Sequence, residues 1–351
     1  MIRQLSAIVV NYRTAALAQR CVASLTREIA EAGLDGEILL VDSASGDEEA
    51  ARLSRIPGAR LLLLPENRGY AGGVDAGLAQ ARGETVLLSN ADVLFAPGSL
   101  PPLYAAAGEA RVGAAGPAAF WDEAHRIRMP AGFSPGFWRD LAQYLAGRFP
   151  GLDRRRFSAF ARRMLRLWQE GGETDHLSGF ALAARRGVFA RIGAFDRAFP
   201  HEFEETEWQD RVRRAGMGLR YEPASRVTHL WGASAHADPP QAQVRRSRSR
   251  RLYRRRRFGR VGAALLESAA ALSRAPSAPP LAQPRLPASP GHWVAISPNA
   301  SGIPFAGAPL ETEFSLPEEI SRALPPAAWL LTIFRASDGE PVAAHRWDKV
   351  A

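Results

Sequence analysis

The chain is poor in cysteine, in lysine and in long apolar runs, and each shortage removes a class of explanation. Cys21 is the single cysteine among 351 residues, so no disulfide can form within the chain. Leu17, Cys21, Leu25 and Ile29 fall on one helical stripe, which makes the thiol a buried structural group of a protein in a reducing, cytoplasmic compartment. No apolar stretch approaches the roughly 20 residues that span a bilayer, and Ala327 to Phe334 is far too short. Met1 to Tyr12 lacks a charged leader with an apolar core and cleavage site, so it reads as a strand rather than a signal peptide. Lys349 is the only lysine, so arginine counts alone say little about function.

The net charge of +9 concentrates in one acid-free stretch, Arg245 to Arg260, which holds ten arginines and leaves the rest of the chain near neutral. Such a stretch suits an anionic membrane surface, a solvated helix face, or a nucleic acid or other anionic polymer. The 46% hydrophobic content is enough for a large core in one or two domains.

Strand and helix signals alternate along the first third of the chain. Ser6 to Asn11 reads as a strand, Thr14 to Ala30 as a helix, Glu37 to Val41 as a strand and Asp47 to Arg55 as a helix. Arg60 to Leu64 is a strand, Tyr70, Val74 and Leu78 mark a helix, and Thr85 to Ser89 is a buried strand. This series predicts a nucleotide-binding type of α/β fold with a parallel sheet. Asp92 follows the last of these strands, at the mouth of the crevice such a sheet creates, where a carboxylate can hold a metal.

Residues 120–174 break the rhythm with two apolar helical stripes. Phe137, Leu141, Tyr144 and Leu145 form one; Phe157, Phe160, Ala161, Met164 and Trp168 form the other, set among six arginines. They predict basic amphipathic helices that either lie on a membrane or, the favoured reading, pack on the catalytic core as a lid. The regular pattern resumes from His176: a strand over Leu177 to Ala184, a helix over Thr206 to Ala215, and strands over Leu219 to Glu222 and Arg226 to His229. A basic helical segment over 244–274, a Pro/Ala/Ser-rich linker over 275–290 and a small β-rich module over 291–351 complete the chain. The last of these carries no recognisable chemistry.

Several motifs occur in one order: Ile8-Val9-Val10-Asn11-Tyr12, Val41-Asp42-Ser43-Ala44-Ser45-Gly46-Asp47 and Pro65-Glu66-Asn67-Arg68-Gly69-Tyr70-Ala71-Gly72-Gly73. Ser89-Asn90-Ala91-Asp92, Leu177-Ser178-Gly179, Gly193-Ala194-Phe195-Asp196, Glu204-Glu205-Thr206-Glu207 and Val227-Thr228-His229 follow. In this order the first 240 or so residues resemble a family 2 glycosyltransferase of GT-A fold, of the bacterial rhamnosyltransferase-like group. The resemblance implies a GT-A domain over 1–243 with a mixed, mostly parallel sheet and residues 120–174 inserted on the acceptor side.

It also implies roles. Asp92 and His229 would hold Mg2+ or Mn2+ beneath a nucleotide sugar, a neutral imidazole favouring Mn2+. Val10 and Asn11 would wall the base pocket, and Asp42 would accept a hydrogen bond from a uracil or thymine imide. Arg68, Gly69, Gly72 and Asn90 would lie along the nucleotide, and Asn90 stands where many relatives carry aspartate. Glu205, with Glu204 beside it and Glu207 nearby, would be the general base, where relatives usually carry aspartate. Gly179 would border the acceptor, and Trp208 would be a sugar platform or a packing partner of Val212. The activity implied is inverting transfer of rhamnose or a similar sugar from a dTDP- or UDP-sugar to a glycan or polyprenyl-linked acceptor. The protein would then be cytoplasmic and peripheral on the inner membrane face, with no nucleic-acid partner. The rival reading is a catalytically silent binder of anionic polymer or nucleic acid through the arginine stretch.

Overall fold

A computed structural model describes residues 3–230, 239–274 and 277–349. Residues 1 and 2 of the expected N-terminal strand and residues 275 and 276 of the expected linker lie outside these. The chain groups into two compact units, residues 1–119 with 171–253 and residues 120–170 with 254–351.

The first unit begins β1 (Arg3–Asn11), α1 (Ala15–Glu31), β2 (Gly36–Asp42), α2 (Asp47–Leu53), β3 (Arg60–Leu63), α3 (Gly69–Gln80) and β4 (Gly83–Asn90). Next come β5 (Val93–Phe95), α4 (Leu100–Gly108) and β6 (Val112–Phe120). Helices α5 (Phe137–Tyr144) and α6 (Pro150–Glu170) belong to the second unit, and the chain returns to the first with β7 (Gly172–Thr174), β8 (Ala181–Arg185), α7 (Arg186–Ile192), α8 (Glu204–Arg214) and β9 (Gly218–His229). Helix α9 (Pro239–Ala271) starts in the first unit, ends in the second and is broken at Gly259, whose φ of 71° leaves the helical region.

The sheet of the first unit runs β3-β2-β1-β4-β8-β6-β9-β5, with β7 paired to β9. β3, β2, β1 and β4 are parallel, as their continuous apolar runs predict, whereas β8 lies antiparallel to β4 and β5 antiparallel to β9. Helix α3 lies close on β1 because two of its residues are glycine. A Cβ on Gly73 would come within 2.6 Å of Val10 Cγ1, and one on Gly77 would strike Ile8. Cys21 is buried on α1, and burial pushes its thiol up to about 12, consistent with an inert structural group. Glu28, buried on the same helix, accepts hydrogen bonds from the Gly98, Ser99 and Leu100 amides and so caps α4.

The second unit adds β10 (Pro280–Leu281), β11 (Arg285–Leu286), β12 (His292–Ser297), β13 (Ala306–Pro309), β14 (Phe314–Ser315), α10 (Glu318–Ala323), β15 (Ala327–Arg335) and β16 (Pro341–Lys349). β10-β16-β15-β12-β13 form its main sheet. The expected α6 stripe is buried, and the C-terminal strands are what cover it. Phe157 stacks on Phe305 at 5.4 Å and meets Phe334 edge-on, and Trp168 stacks on Trp293 at 5.3 Å. Gly307 makes room for the Trp168 ring, since a Cβ there would lie 2.7 Å from it. The α6 arginines are used in the same contact: Arg154 pairs with Glu340 at 2.9 Å and Arg162 donates to the Asp338 carbonyl. The membrane reading of α6 therefore gives way to packing within the second unit, and its stripe is covered by the C-terminal strands where the favoured reading had the catalytic core.

Candidate active site

Strand β4 ends at Asn90, and the next two residues turn the chain so that β5 pairs with the end of β9, Val93 opposite His229. The Leu230 amide donates to the Asp92 carbonyl at 3.0 Å, which locks the turn to β9. Asp92, buried, and His229 are thereby brought together across the ladder, His229 Nε2 lying 3.4 Å from Asp92 Oδ1. The imidazole stacks on Phe180 at 4.6 Å, and its Nδ1 is buried without a hydrogen-bond partner. One carboxylate oxygen and one imidazole nitrogen at this separation fit adjacent coordination positions on a single divalent ion. Among the described residues no three His, Cys, Asp or Glu side chains converge on such a site, so any further ligands must come from outside this pair.

The second acidic group opens α8, two residues earlier than the sequence pattern predicts. Glu202 and Phe203 both adopt left-handed backbone, with φ of 59° and 70°. Non-glycine residues rarely do so, and two in succession form the turn that delivers Glu204 and Glu205. The first half of α9 holds that turn: Arg246 pairs with Glu202 at 2.7 Å, Ser249 Oγ accepts from the His201 amide, and the Tyr253 ring packs on Phe203 at 5.5 Å. Tyr253 also donates its hydroxyl hydrogen to Asp210 of α8 at 2.8 Å.

Glu204 is buried, and its Oε2 has no hydrogen-bond partner. Burial first, and then the neighbouring Glu205 charge, push it well above the ordinary carboxylate range, which favours its protonated form. Glu205 is half-buried, accepts from Thr206 Oγ1 at 3.2 Å, and is raised to about 7, by burial and then by the Glu202 charge. The environment thus raises two adjacent acids together and leaves Glu205 poised to exchange a proton near neutrality. Both oxygens of Glu207 accept from Arg211 Nε.

Gly179 lies against Glu205, the site of a hypothetical Cβ being 2.7 Å from Glu205 Cγ. Its position is fixed from two sides. Gln209 pins Leu177 to α8, its side-chain amide donating to the Leu177 carbonyl and accepting from the Leu177 amide, both at 2.7 Å. The Tyr70 hydroxyl donates to the Gly179 carbonyl at 3.2 Å. The Tyr70 phenol is held far above its ordinary range by burial and then by Glu204, Glu205 and Asp92, which places it among the acids of both groups. The sequence pattern shows Tyr70 in an apolar stripe and in a motif without a role for its hydroxyl, and gives no hint of Gln209.

The remaining expected residues lie as follows. Asp42 is buried with both oxygens engaged: Oδ1 accepts from Asn11 Nδ2 at 2.8 Å and from the Ser45 hydroxyl, and Oδ2 from the Ser45 amide. Val10 is half-buried against α3. Arg68 is exposed and pairs with Glu66 at 3.1 Å, Gly69 has a φ of 67° at the start of α3, and Gly72 is buried against Arg68. Asn90 is half-buried, and its amide donates to the Phe180 carbonyl. Asp75 pairs with Arg197 at 2.5 Å, tying α3 to the loop before α8. Trp208 corrects an expectation. It is 0% exposed, stacks on Phe189 at 4.9 Å and donates to the Gly193 carbonyl, so its ring has no face to offer a sugar.

Comparison with known proteins bears on what this arrangement does. The curated N-acetylglucosaminyl-diphospho-decaprenol L-rhamnosyltransferases of two Mycobacterium tuberculosis strains are each 31% identical over 220 residues, covering 58% of this chain and 69% of theirs. Among solved structures, GalNAc-T7 with UDP, GalNAc and Mn2+ matches 65% of this chain and 44% of its own at 17% identity and a TM-score of 0.45. The mannosyltransferase PcManGT from Pyrobaculum calidifontis, with GDP-Man and Mn2+, matches 77% of this chain and 76% of its own at 19% identity and a TM-score of 0.45. The sequence profile of glycosyl transferase family 2 covers residues 6–189, the span that builds β1 to α7 and presents Asp92 and Gly179. With more than half of the chain inside that profile and curated rhamnosyltransferases matched over two-thirds of their length, the chain belongs to glycosyl transferase family 2, has its GT-A fold and is a glycosyltransferase.

Proposed function

We propose that the enzyme inverts configuration while moving rhamnose, or a similar hexose, from a dTDP- or UDP-sugar to a hydroxyl of a lipid-linked or cell-surface glycan. The similarity to rhamnosyltransferases whose name specifies a diphospho-decaprenol substrate supports the donor and acceptor classes. The observation that carries the chemistry is Glu205, poised near pH 7 against Gly179 with the raised, buried Glu204 beside it.

Ionised Glu205 takes the proton of the acceptor hydroxyl as that oxygen bonds to the anomeric carbon. The bond from that carbon to the donor's phosphate oxygen breaks in the same displacement, and the nucleoside diphosphate leaves with the electron pair. Tyr70 holds the Gly179 carbonyl and so keeps the acceptor side of the base in place. Asp92 and His229 would hold a Mg2+ or Mn2+ ion, which would supply charge neutralisation at the departing diphosphate. Asn11 and Val10 line the base end, and a base reaching Asp42 would take over the hydrogen bond now made by the Ser45 hydroxyl. Arg68, exposed at the start of α3, is free to turn from Glu66 toward phosphate.

The test is a donor screen, read by nucleoside diphosphate release and acceptor mass shift, with and without Mn2+, on the wild type and Glu205→Gln. Release from a dTDP- or UDP-sugar that Glu205→Gln abolishes is expected. Full transfer by Glu205→Gln would remove the base assignment, and absence of turnover with every nucleotide sugar would remove the whole reading. Salt-sensitive DNA binding without any sugar transfer would instead favour the polymer-binding rival.

A further inference from the structure

Large apolar side chains are commonly exposed singly, so a cluster of them calls for an explanation. The second unit has one. Trp138 is 77% exposed and Val261 75%, and Phe149, Leu152, Leu265 and Leu272 are each more than half exposed. They come from two segments that run alongside each other. Phe137 meets the Phe258 ring at 6.0 Å, and Arg148 donates to the Leu272 carbonyl at 2.8 Å. At about 100° per helical residue, Val261 and Leu265 fall within about 40° of each other, on the side of α9 away from buried Ala263 and Leu266, and Leu272 follows one residue past the end of the helix. This helix is therefore apolar on two sides, one covered by the protein and one bare.

Charge identifies what suits the bare side. Residues 254–274 contain six arginines and a single acid, Glu267. Arg254 is used internally, buried with Asp140 at 2.9 Å and with the Tyr144 hydroxyl. Arg255, Arg260 and Arg274 are exposed, Arg260 directly before Val261 and Arg274 two residues after Leu272 in the chain. A second copy of this face would bring like charges together. A bilayer with anionic headgroups satisfies both features, accepting the apolar side chains at its interface and the guanidinium groups at its phosphates.

We infer that the part of α9 after Gly259, together with the segment carrying Trp138, is the surface that docks the enzyme on anionic membranes. This assigns membrane contact to a specific apolar stripe rather than to the amphipathic α6 or to the arginine run alone. It deepens the lipid-linked acceptor reading and takes its purpose from it, yet vesicle binding needs neither donor nor acceptor, so either can fail alone.

The full chain is floated with phosphatidylcholine vesicles and with vesicles containing about 30% phosphatidylglycerol, at about 0.1 M salt. Binding to the anionic vesicles alone is expected. It should fall at least about tenfold in Val261→Gln/Leu265→Gln and in Trp138→Ser, with unchanged melting temperatures, and it should weaken in Arg255→Gln/Arg260→Gln. Absence of binding to anionic vesicles overturns the inference, as does binding that survives the apolar substitutions. A vesicle-independent dimer dissociated by those substitutions also overturns it and assigns the face to a second copy.

Discussion

Gly179 and Glu205 are packed so closely that a Cβ on the glycine would lie 2.7 Å from Glu205 Cγ and 3.1 Å from its Cβ. The glutamate thus occupies space that only a glycine opposite leaves open. Gly179→Ala should force Glu205 away while leaving Asp92 and His229 in place. The expected result is a kcat reduced about 10–100-fold with donor KM changed less than about threefold, measured by steady-state nucleotide release. Equal losses in both constants would show that Gly179 serves donor binding instead.

The value of about 7 for Glu205 predicts the pH profile. A base must be ionised, so kcat/KM should rise through pH 7 and fall about tenfold per unit well below it. Glu202 raises Glu205 by its negative charge, so Glu202→Gln should lower the Glu205 value and move the acidic limb to lower pH. A profile that does not move separates the limb from Glu205.

Parts of this arrangement are legible in the sequence for definite physical reasons. Strands β1, β2 and β4 are buried on both faces and so read as unbroken apolar runs, and the acids that follow them are visible because motif order preserves them. Tyr70 is hidden because apolar periodicity registers its ring and ignores its hydroxyl. Gln209 is hidden because its partner, Leu177, is 32 residues away and an isolated polar residue in a helix looks solvated. The early start of α8 depends on left-handed Phe203, which no propensity favours. The covering of α6 by strands near the end of the chain requires long-range contacts that local periodicity does not carry.

Stability should oppose catalysis at Glu205. Its folded value lies near 7 against an ordinary 4.5, so the native state binds more protons than the unfolded state between those pH values. The favourable contribution is present below 4.5 and is lost as pH rises through 7. Glu205→Gln removes the charge that is buried above pH 7. It should therefore melt higher than the wild type at pH 8, by an amount on the order of 1–3 kcal/mol, and nearly alike at pH 4.5, while transfer is abolished. Calorimetry at the two pH values checks this, and an unchanged difference would mean that Glu205 is not desolvated.

The Asp92–His229 pair predicts a graded response to metal. His229→Ala keeps the carboxylate and should raise the Mn2+ concentration for half-maximal activity about 10–100-fold. Asp92→Asn removes the charge and should abolish metal-dependent binding of the nucleoside diphosphate, measured by calorimetry with and without Mn2+. Identical Mn2+ dependence in His229→Ala and the wild type would leave the histidine a packing role against Phe180.

Trp208 separates core from site. Its ring is wholly buried between Phe189 and Phe195 and its indole donates to the Gly193 carbonyl at 2.9 Å. Trp208→Phe deletes part of the ring and leaves that carbonyl without its donor, which should cost about 2 kcal/mol in chemical denaturation. A sugar platform would instead lose acceptor affinity with little change in stability. The buried geometry therefore predicts a lower melting temperature with acceptor KM unchanged within about twofold. The converse pattern would mean that the ring becomes exposed when acceptor binds.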